Sequence, residues 1–279
     1  MSRPIHAPSF VLLSLLLTIA APAPANPRPL PFTYPNETLP KGNLELELYT
    51  DVNALRVNAD PADPGKGRIW EPGYVLQNEI EYGLSDRFEL GFYQVWEANP
   101  VDGGDNGLLF DGLKWRVRTR LAEPGELPLD IGLYFELETM HDELSFEEKV
   151  NLQRRFGLAA WMANLWVEQS LVRPLDSRAQ GREWELIVNP TTGLTFEVTP
   201  TFHPGIEYWA RGQLSASGET PQERANSKLH HFLGPVLHLQ FGRLWWSAAL
   251  YANLSNLHTP EPGDAYGPVW FRSVLGLDL

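Results

Sequence analysis

Between Leu113 and Leu121 every second residue is basic: Lys114, Arg116, Arg118 and Arg120 alternate with Leu113, Trp115, Val117 and Thr119. A repeat of two belongs to an extended strand, whose successive side chains point to opposite faces. One face of this strand is cationic and the other is apolar. A Lys or Arg facing lipid at the bilayer midplane costs roughly 2–4 kcal/mol, falling toward zero near the interfaces. A strand of this kind in a membrane therefore has one permitted orientation, with the basic row turned away from hydrocarbon.

The same repeat recurs along the chain from Gly42 onward. Leu44, Leu46 and Leu48 alternate with Glu45, Glu47 and Tyr49, and Ile80 and Tyr82 with Glu79 and Glu81. Phe135 and Leu137 alternate with Tyr134, Glu136 and Glu138, and Leu250, Ala252 and Leu254 with Tyr251, Asn253 and Ser255. The pattern predicts about twelve strands, near 43–57, 68–83, 88–98, 111–121, 128–140, 146–155, 158–171, 183–198, 201–214, 229–241, 244–256 and 268–279. Pro190 falls inside the eighth, where a bulge or break is expected because proline cannot donate to a ladder.

The connections sort by length. Long segments at Asn58–Gly67, Asn99–Phe110, His141–Ser145, Val172–Arg182, Ser215–Lys228 and Leu257–Gly267 alternate with short ones at Ser85–Arg87, Ala122–Leu127, Phe156–Gly157, Thr199–Pro200 and Gly242–Arg243. Antiparallel neighbours then carry every long loop at one end and every tight turn at the other. Outer-membrane barrels have this asymmetry, with short periplasmic turns and long outer loops. The expected fold class is all-β, an up-and-down antiparallel transmembrane β-barrel of about twelve strands spanning 43–279. Mean hydropathy is −0.26, which fits because alternating strands average out to ordinary values.

The N-terminus fits export. Arg3 precedes the apolar run Phe10–Ala20, and Ala23-Pro24-Ala25 offers a small-residue cleavage site before Asn26. Residues 1–25 are expected to be a signal peptide and 26–42 a short periplasmic segment ahead of the barrel. The chain has no cysteine, which excludes a lipidated N-terminal Cys, disulfides and thiol chemistry. The net charge of −13 argues against nucleic acid as a partner.

The inward faces supply the candidate site. Lys114, Arg116, Arg118 and Arg120 should line the lumen, with Glu79, Glu81, Glu136 and Glu138 on neighbouring strands. Either these charges pair and fill a narrow bore, or the basic row attracts an anionic solute and sets ion selectivity; pairing is favoured. Tyr49, Trp70, Tyr74, Trp96, Trp161, Trp166, Trp209, Trp245 and Trp270 lie near strand ends and are expected to form an interfacial aromatic girdle.

Enzymatic readings find little support. Glu45/Glu47, Glu79/Glu81, Glu136/Glu138 and Glu183/Glu185 each share a strand face, a spacing open to a glycosidase. The pattern repeats on several strands, as a lining does and a single catalytic pair does not. Loop carboxylates show no calcium-binding pattern, and the histidines are scattered; His238, Ser247 and Ser255 can be combined only on paper. No cofactor or metal is expected.

Several stretches resemble a family of bacterial outer-membrane barrels regarded as transporters, some assigned to the MetA pathway of phenol degradation. They are Thr38-Leu39-Pro40-Lys41-Gly42, Glu79–Leu90, Gly205-Ile206-Glu207 and Phe232-Leu233-Gly234-Pro235. The resemblance spans most of the chain after the leader, but each motif alone has modest specificity. It implies an outer-membrane location and passage of small, apolar or aromatic compounds, and supplies no catalytic residues. The chain ends Leu275-Gly276-Leu277-Asp278-Leu279, without the terminal aromatic usual in such barrels. The expectation is a narrow pore or transporter for a small solute. Its partners would be outer-membrane lipid, that solute and, during biogenesis, the barrel-insertion machinery. The alternatives are a barrel enzyme acting on lipid and a secreted soluble β-protein binding carbohydrate.

Overall fold

The computed structural model describes residues 27–58, 68–98, 107–141, 143–172, 183–215, 229–255 and 266–279. The expected signal peptide lies outside them. Thirteen strand segments form one antiparallel sheet: β1 (Leu44–Asn58), β2 (Arg68–Ser85), β3 (Phe88–Ala98), β4 (Leu109–Arg120), β5 (Asp130–Met140), β6 (Glu143–Phe156), β7 (Ala159–Val172), β8 (Glu183–Val188), β9 (Thr191–Phe196), β10 (Phe202–Ser215), β11 (His230–Phe241), β12 (Leu244–Asn253) and β13 (Val269–Asp278). From β1 to β7 and from β10 to β13 each strand pairs with the next, β8 and β9 each pair with β7 and β10, and β13 returns to β1 from Glu45↔Asp278 to Asn53↔Trp270. The sheet is closed, so no edge is left with unpaired backbone groups.

β8 and β9 lie end to end between β7 and β10, separated by Asn189 and Pro190. They are two halves of one stave, which makes the cylinder twelve-stranded. The break falls where Pro190 removes a ladder donor, as the sequence leads one to expect.

The wall is inside-out relative to a soluble protein. Leu48 is 50% exposed while its neighbours Glu47 and Tyr49 are each 2% exposed. On β4, Trp115 and Val117 face outward and Arg116 and Arg118 are buried. Ile80, Phe135, Leu137, Phe146, Leu165 and Leu250 continue the outer apolar surface around the barrel. Such an exterior is stable only in hydrocarbon, which places the cylinder in a bilayer with its ionised groups facing the axis.

Two expectations need correction. The connection after β5 is not a long loop: only residues 141 and 142 separate Met140 from Glu143. Thr139 pairs with Leu144, and the ladder continues through Glu138↔Ser145. The run Glu143-Leu144-Ser145 keeps the period of two, which its polar composition concealed. Length sorting therefore fails at this hairpin, and at the opposite end the nine residues between Arg120 and Asp130 equal the nine between Asn58 and Arg68, although the topology is as expected.

The aromatic girdle is the second. Tyr49, Trp209 and Trp245 are buried inside the barrel, and Trp166 and Trp270 line its interior cavity. They share a face with Glu47, Glu207, Ser247, Glu168 and Arg272 respectively, so strand parity sends them inward. Tyr74 remains exposed; the outward-facing Trp96 stacks edge-on with Phe110, 5.2 Å between ring centres. Trp161, also outward, donates to Thr192 Oγ1 at 3.0 Å. The Trp70 side chain lies outside the described ones.

Candidate functional site: an ion-paired bore crossed by a proline-rich strap

The bore is not empty. Residues 27–41, ahead of β1, run inside the cylinder, with Leu30, Thr33 and Leu39 fully buried and Phe32, Tyr34 and Asn36 nearly so. Prolines stand at 27, 29, 31, 35 and 40. Each removes a backbone donor that would otherwise need a partner away from water, so this composition suits an extended segment that joins no sheet. Six of the remaining N–H groups, those of Phe32, Thr33, Tyr34, Asn36, Leu39 and Lys41, are met by side chains of the wall and of its β2–β3 turn. Glu207 on β10 accepts from Phe32 (3.1 Å) and Thr33 (2.6 Å). Asn164 on β7 takes the Tyr34 N–H at 2.7 Å and returns a bond to its carbonyl at 3.0 Å. Gln153 accepts from Asn36 (2.8 Å), Glu89 from Leu39 (2.7 Å) and Asp86 from Lys41 (3.0 Å).

Packing adds to these bonds. Leu30 sits over Gly193, where a Cβ would lie 2.6 Å from Leu30 Cδ1 and 2.8 Å from the Ile206 carbonyl oxygen. Phe32 meets Trp209 at 4.4 Å between ring centres and Tyr251 at 5.4 Å, and Trp209 stacks on Phe232 at 3.9 Å. These aromatic pairs make the β10–β13 side of the bore apolar, whereas the β1–β6 side is ionic.

Arg116 is the hub of the ionic side. Its guanidinium contacts Glu79 at 2.8 Å, Glu81 at 2.6 Å and Glu89, and donates to Tyr93 Oη at 2.8 Å. Glu79 and Glu81 lie on β2, one strand beyond the neighbour, and Arg116 reaches them because Gly91 stands between. Glu81 pairs with Gly91 and Gly91 with Arg116 in register, and a Cβ at Gly91 would lie 2.6 Å from Glu79 Oε1 and 2.9 Å from Arg116 Nε. Arg118 pairs with Glu89 at 3.0 Å and donates to the strap carbonyl of Glu37 at 2.7 Å. Lys114 bridges Glu138 (3.1 Å) and Glu136 (3.6 Å).

All eight candidate residues therefore lie on the inner face or at its rim, in three environments. Lys114, Glu136 and Glu138 border a cavity. Arg116, Arg118, Glu79 and Glu81 are closed into the buried lattice. Arg120 turns to Glu123 at 2.7 Å in the β4–β5 turn. Further pairs appear that the sequence did not single out: Lys149 with Glu147, Arg211 with Glu168 and Arg272 with Asp51. Two triplets, Glu47/Glu79/Glu81 and Glu136/Glu138/Glu147, have oxygens close enough to hold a cation. Arg116 serves the first, and Lys114 and Lys149 serve the second, so side chains already supply the countercharge.

The strap stands between two cavities. One, of about 290 Å³, opens toward the long-loop end and is bordered by Arg28, Phe32 and Tyr34 of the strap and by Trp166, Trp209 and Trp270 of the wall. The other, of about 540 Å³, opens toward the tight-turn end beside Pro27, Pro29, Pro35 and Glu37. Cations in the first lie on aromatic faces: Lys149 is 3.6 Å from the Trp166 ring centre, Arg28 is 4.0 Å from Tyr34, and Arg272 is 4.0 Å from Phe32. Ser247 Oγ lies 2.8 Å from His238 Nδ1, but its hydroxyl donates to the Arg28 carbonyl oxygen at 2.5 Å, while Ser255 accepts from the His231 backbone.

Comparison with solved structures gives the fold its relatives. The NanC porin superposes with a TM-score of 0.56 at 7% identity, covering 84% of this chain and all of that one. An outer-membrane channel from Pseudomonas putida F1 gives 0.58 at 12% identity, covering 88% of this chain and 98% of that one. The fold is that of outer-membrane channels. No family model matches the sequence, and no curated protein does.

Proposed function

We propose that the barrel is an outer-membrane pore or transporter for a small solute, with the N-terminal strap as the obstruction along its path. One observation carries this reading: two cavities meet at a strap held by side-chain hydrogen bonds instead of ladder pairing. A segment held in this way can be released without breaking the cylinder. The wall of the loop-end cavity combines paired charges with aromatic faces, so it offers little net field and several flat apolar surfaces. That suits a small solute with a planar apolar part better than a simple ion. Likeness in fold to a porin and an outer-membrane channel supports the same reading.

The test is conductance in planar bilayers, together with solute flux in liposomes. Intact protein should give small or infrequent openings, and a chain lacking residues 27–41 should conduct strongly. If the shortened protein folds but passes neither ions nor small solutes, the barrel is structural and the pore reading fails.

A further inference from the structure

We propose that His203 and His238 form a two-imidazole site for a divalent transition-metal ion at the tight-turn end of the bore. The two residues are directly opposite each other on β10 and β11. Their ring centres lie 5.1 Å apart with the planes tilted by 45°. His238 is fully buried, and Nε2 of each ring is buried with no hydrogen-bond partner among the described residues.

The hydrogen bonds around His238 decide which nitrogen carries its proton. Ser247 has one hydroxyl hydrogen, and its 2.5 Å bond to the Arg28 carbonyl uses it, because a carbonyl can only accept. The 2.8 Å contact between Ser247 Oγ and His238 Nδ1 must then be donated by the ring. A neutral imidazole with hydrogen on Nδ1 has a bare lone pair on Nε2. The orphaned atom of His238 is therefore an acceptor that needs a donor or a Lewis acid. This is how metal-binding histidines are held, with the far ring nitrogen tied to a second partner that fixes tautomer and orientation.

The distances suit one ion. With metal–nitrogen bonds of roughly 2.0–2.1 Å, two imidazoles on one tetrahedral centre place their ring centres about 5 Å apart. Imidazole pairs favour zinc, nickel and copper over the hard cations, which prefer oxygen. Because both ligands come from adjacent strands of a closed sheet, little reorganisation is needed on binding. His203 borders the 540 Å³ cavity together with Glu37, Glu197 and Gln240, which provides access and room for waters to complete the coordination shell. The competing occupant is a water molecule, which can donate to the same lone pairs.

Full-length folded protein, stripped with chelator and checked for heat-modifiable migration, should be titrated with Zn²⁺ by calorimetry and with Cu²⁺ by electron paramagnetic resonance. One ion per chain should bind, and the Cu²⁺ spectrum should show nitrogen hyperfine structure from two imidazoles. His203→Gln and His238→Gln should each weaken binding roughly tenfold or more, whereas His141→Gln, at an exposed position, should not. His238→Gln also removes the bond to Ser247. Should that variant fail to fold, His203→Gln carries the test alone, since no such bond holds its ring to the strap. Absence of saturable binding, binding unchanged in the His203 variant, or a spectrum with oxygen ligands alone would overturn the proposal and assign the two nitrogens to water.

Discussion

Replacing Gly91 with alanine tests whether the ionic side of the bore is built as described. The new methyl group would meet Glu79 Oε1 at 2.6 Å and Arg116 Nε at 2.9 Å. Both lie in the cluster that joins Arg116 to Glu79, Glu81 and Glu89. Both are also near the ends of side chains, so the cluster can shift by tenths of an ångström before it breaks. Overpacking of this kind costs about 1–3 kcal/mol, whereas removing one partner of a buried ion pair costs about 3–5 kcal/mol. The lower range is expected for Gly91→Ala and the higher for Arg116→Ala. Urea unfolding in lipid vesicles, followed by tryptophan fluorescence, measures both. In the Arg116→Ala background the Arg116 contact is gone and Glu79 is no longer held by that ion pair, so the added methyl group should cost less than it does in the parent. Fully additive losses, or a Gly91→Ala protein as stable as the parent, would refute the claim that Arg116 reaches across β3 through this gap.

Other outcomes follow from the same geometry. Arg116→Gln and Arg118→Gln should leave the reversal potential in a salt gradient unchanged, because both groups are sealed in the lattice. Lys149→Gln, on the cavity wall, should shift it toward cations. Glu207→Gln weakens the acceptor of the Phe32 and Thr33 N–H groups; a hydrogen bond to a charged group contributes about 1.5–3 kcal/mol, and the strap should become more susceptible to protease added at the turn end. Val117→Arg puts a charge on the lipid face and should lower unfolding free energy by about 2–4 kcal/mol if it lies at the midplane, while Leu121→Arg, at the end of that strand, should cost much less.

The barrel was legible because its period of two is carried by residues of opposite polarity. Leu113–Leu121 and Leu44–Tyr49 announce both strand and face, and Pro190 announces the break between β8 and β9. The β5–β6 hairpin was hidden because Asp142, Glu143 and Ser145 are polar on both faces of the alternation. The inward aromatics were misassigned because residue type was weighed above parity. Trp209 stands two positions from Glu207, and that spacing alone puts it in the bore. The ion pairs of Arg116 with β2 were not legible, since a contact across two strands depends on Gly91 having no side chain. Nor was the path of residues 27–41 through the lumen. The alternation of Pro27, Pro29 and Pro31 with Arg28, Leu30 and Phe32 is its one visible trace, and nothing local says where such a segment lies.

The central claim is that apolar side chains face lipid all round the cylinder while polar ones and the strap occupy its axis. The absence of cysteine allows a direct measurement with single cysteines on β7, spin-labelled in vesicles and tested for collision with oxygen, which concentrates in hydrocarbon. Labels at Ala163, Leu165 and Val167 should be strongly relaxed, and labels at Ala160, Met162 and Ser170 should be protected. Equal relaxation at both sets, or the reverse order, would contradict the account.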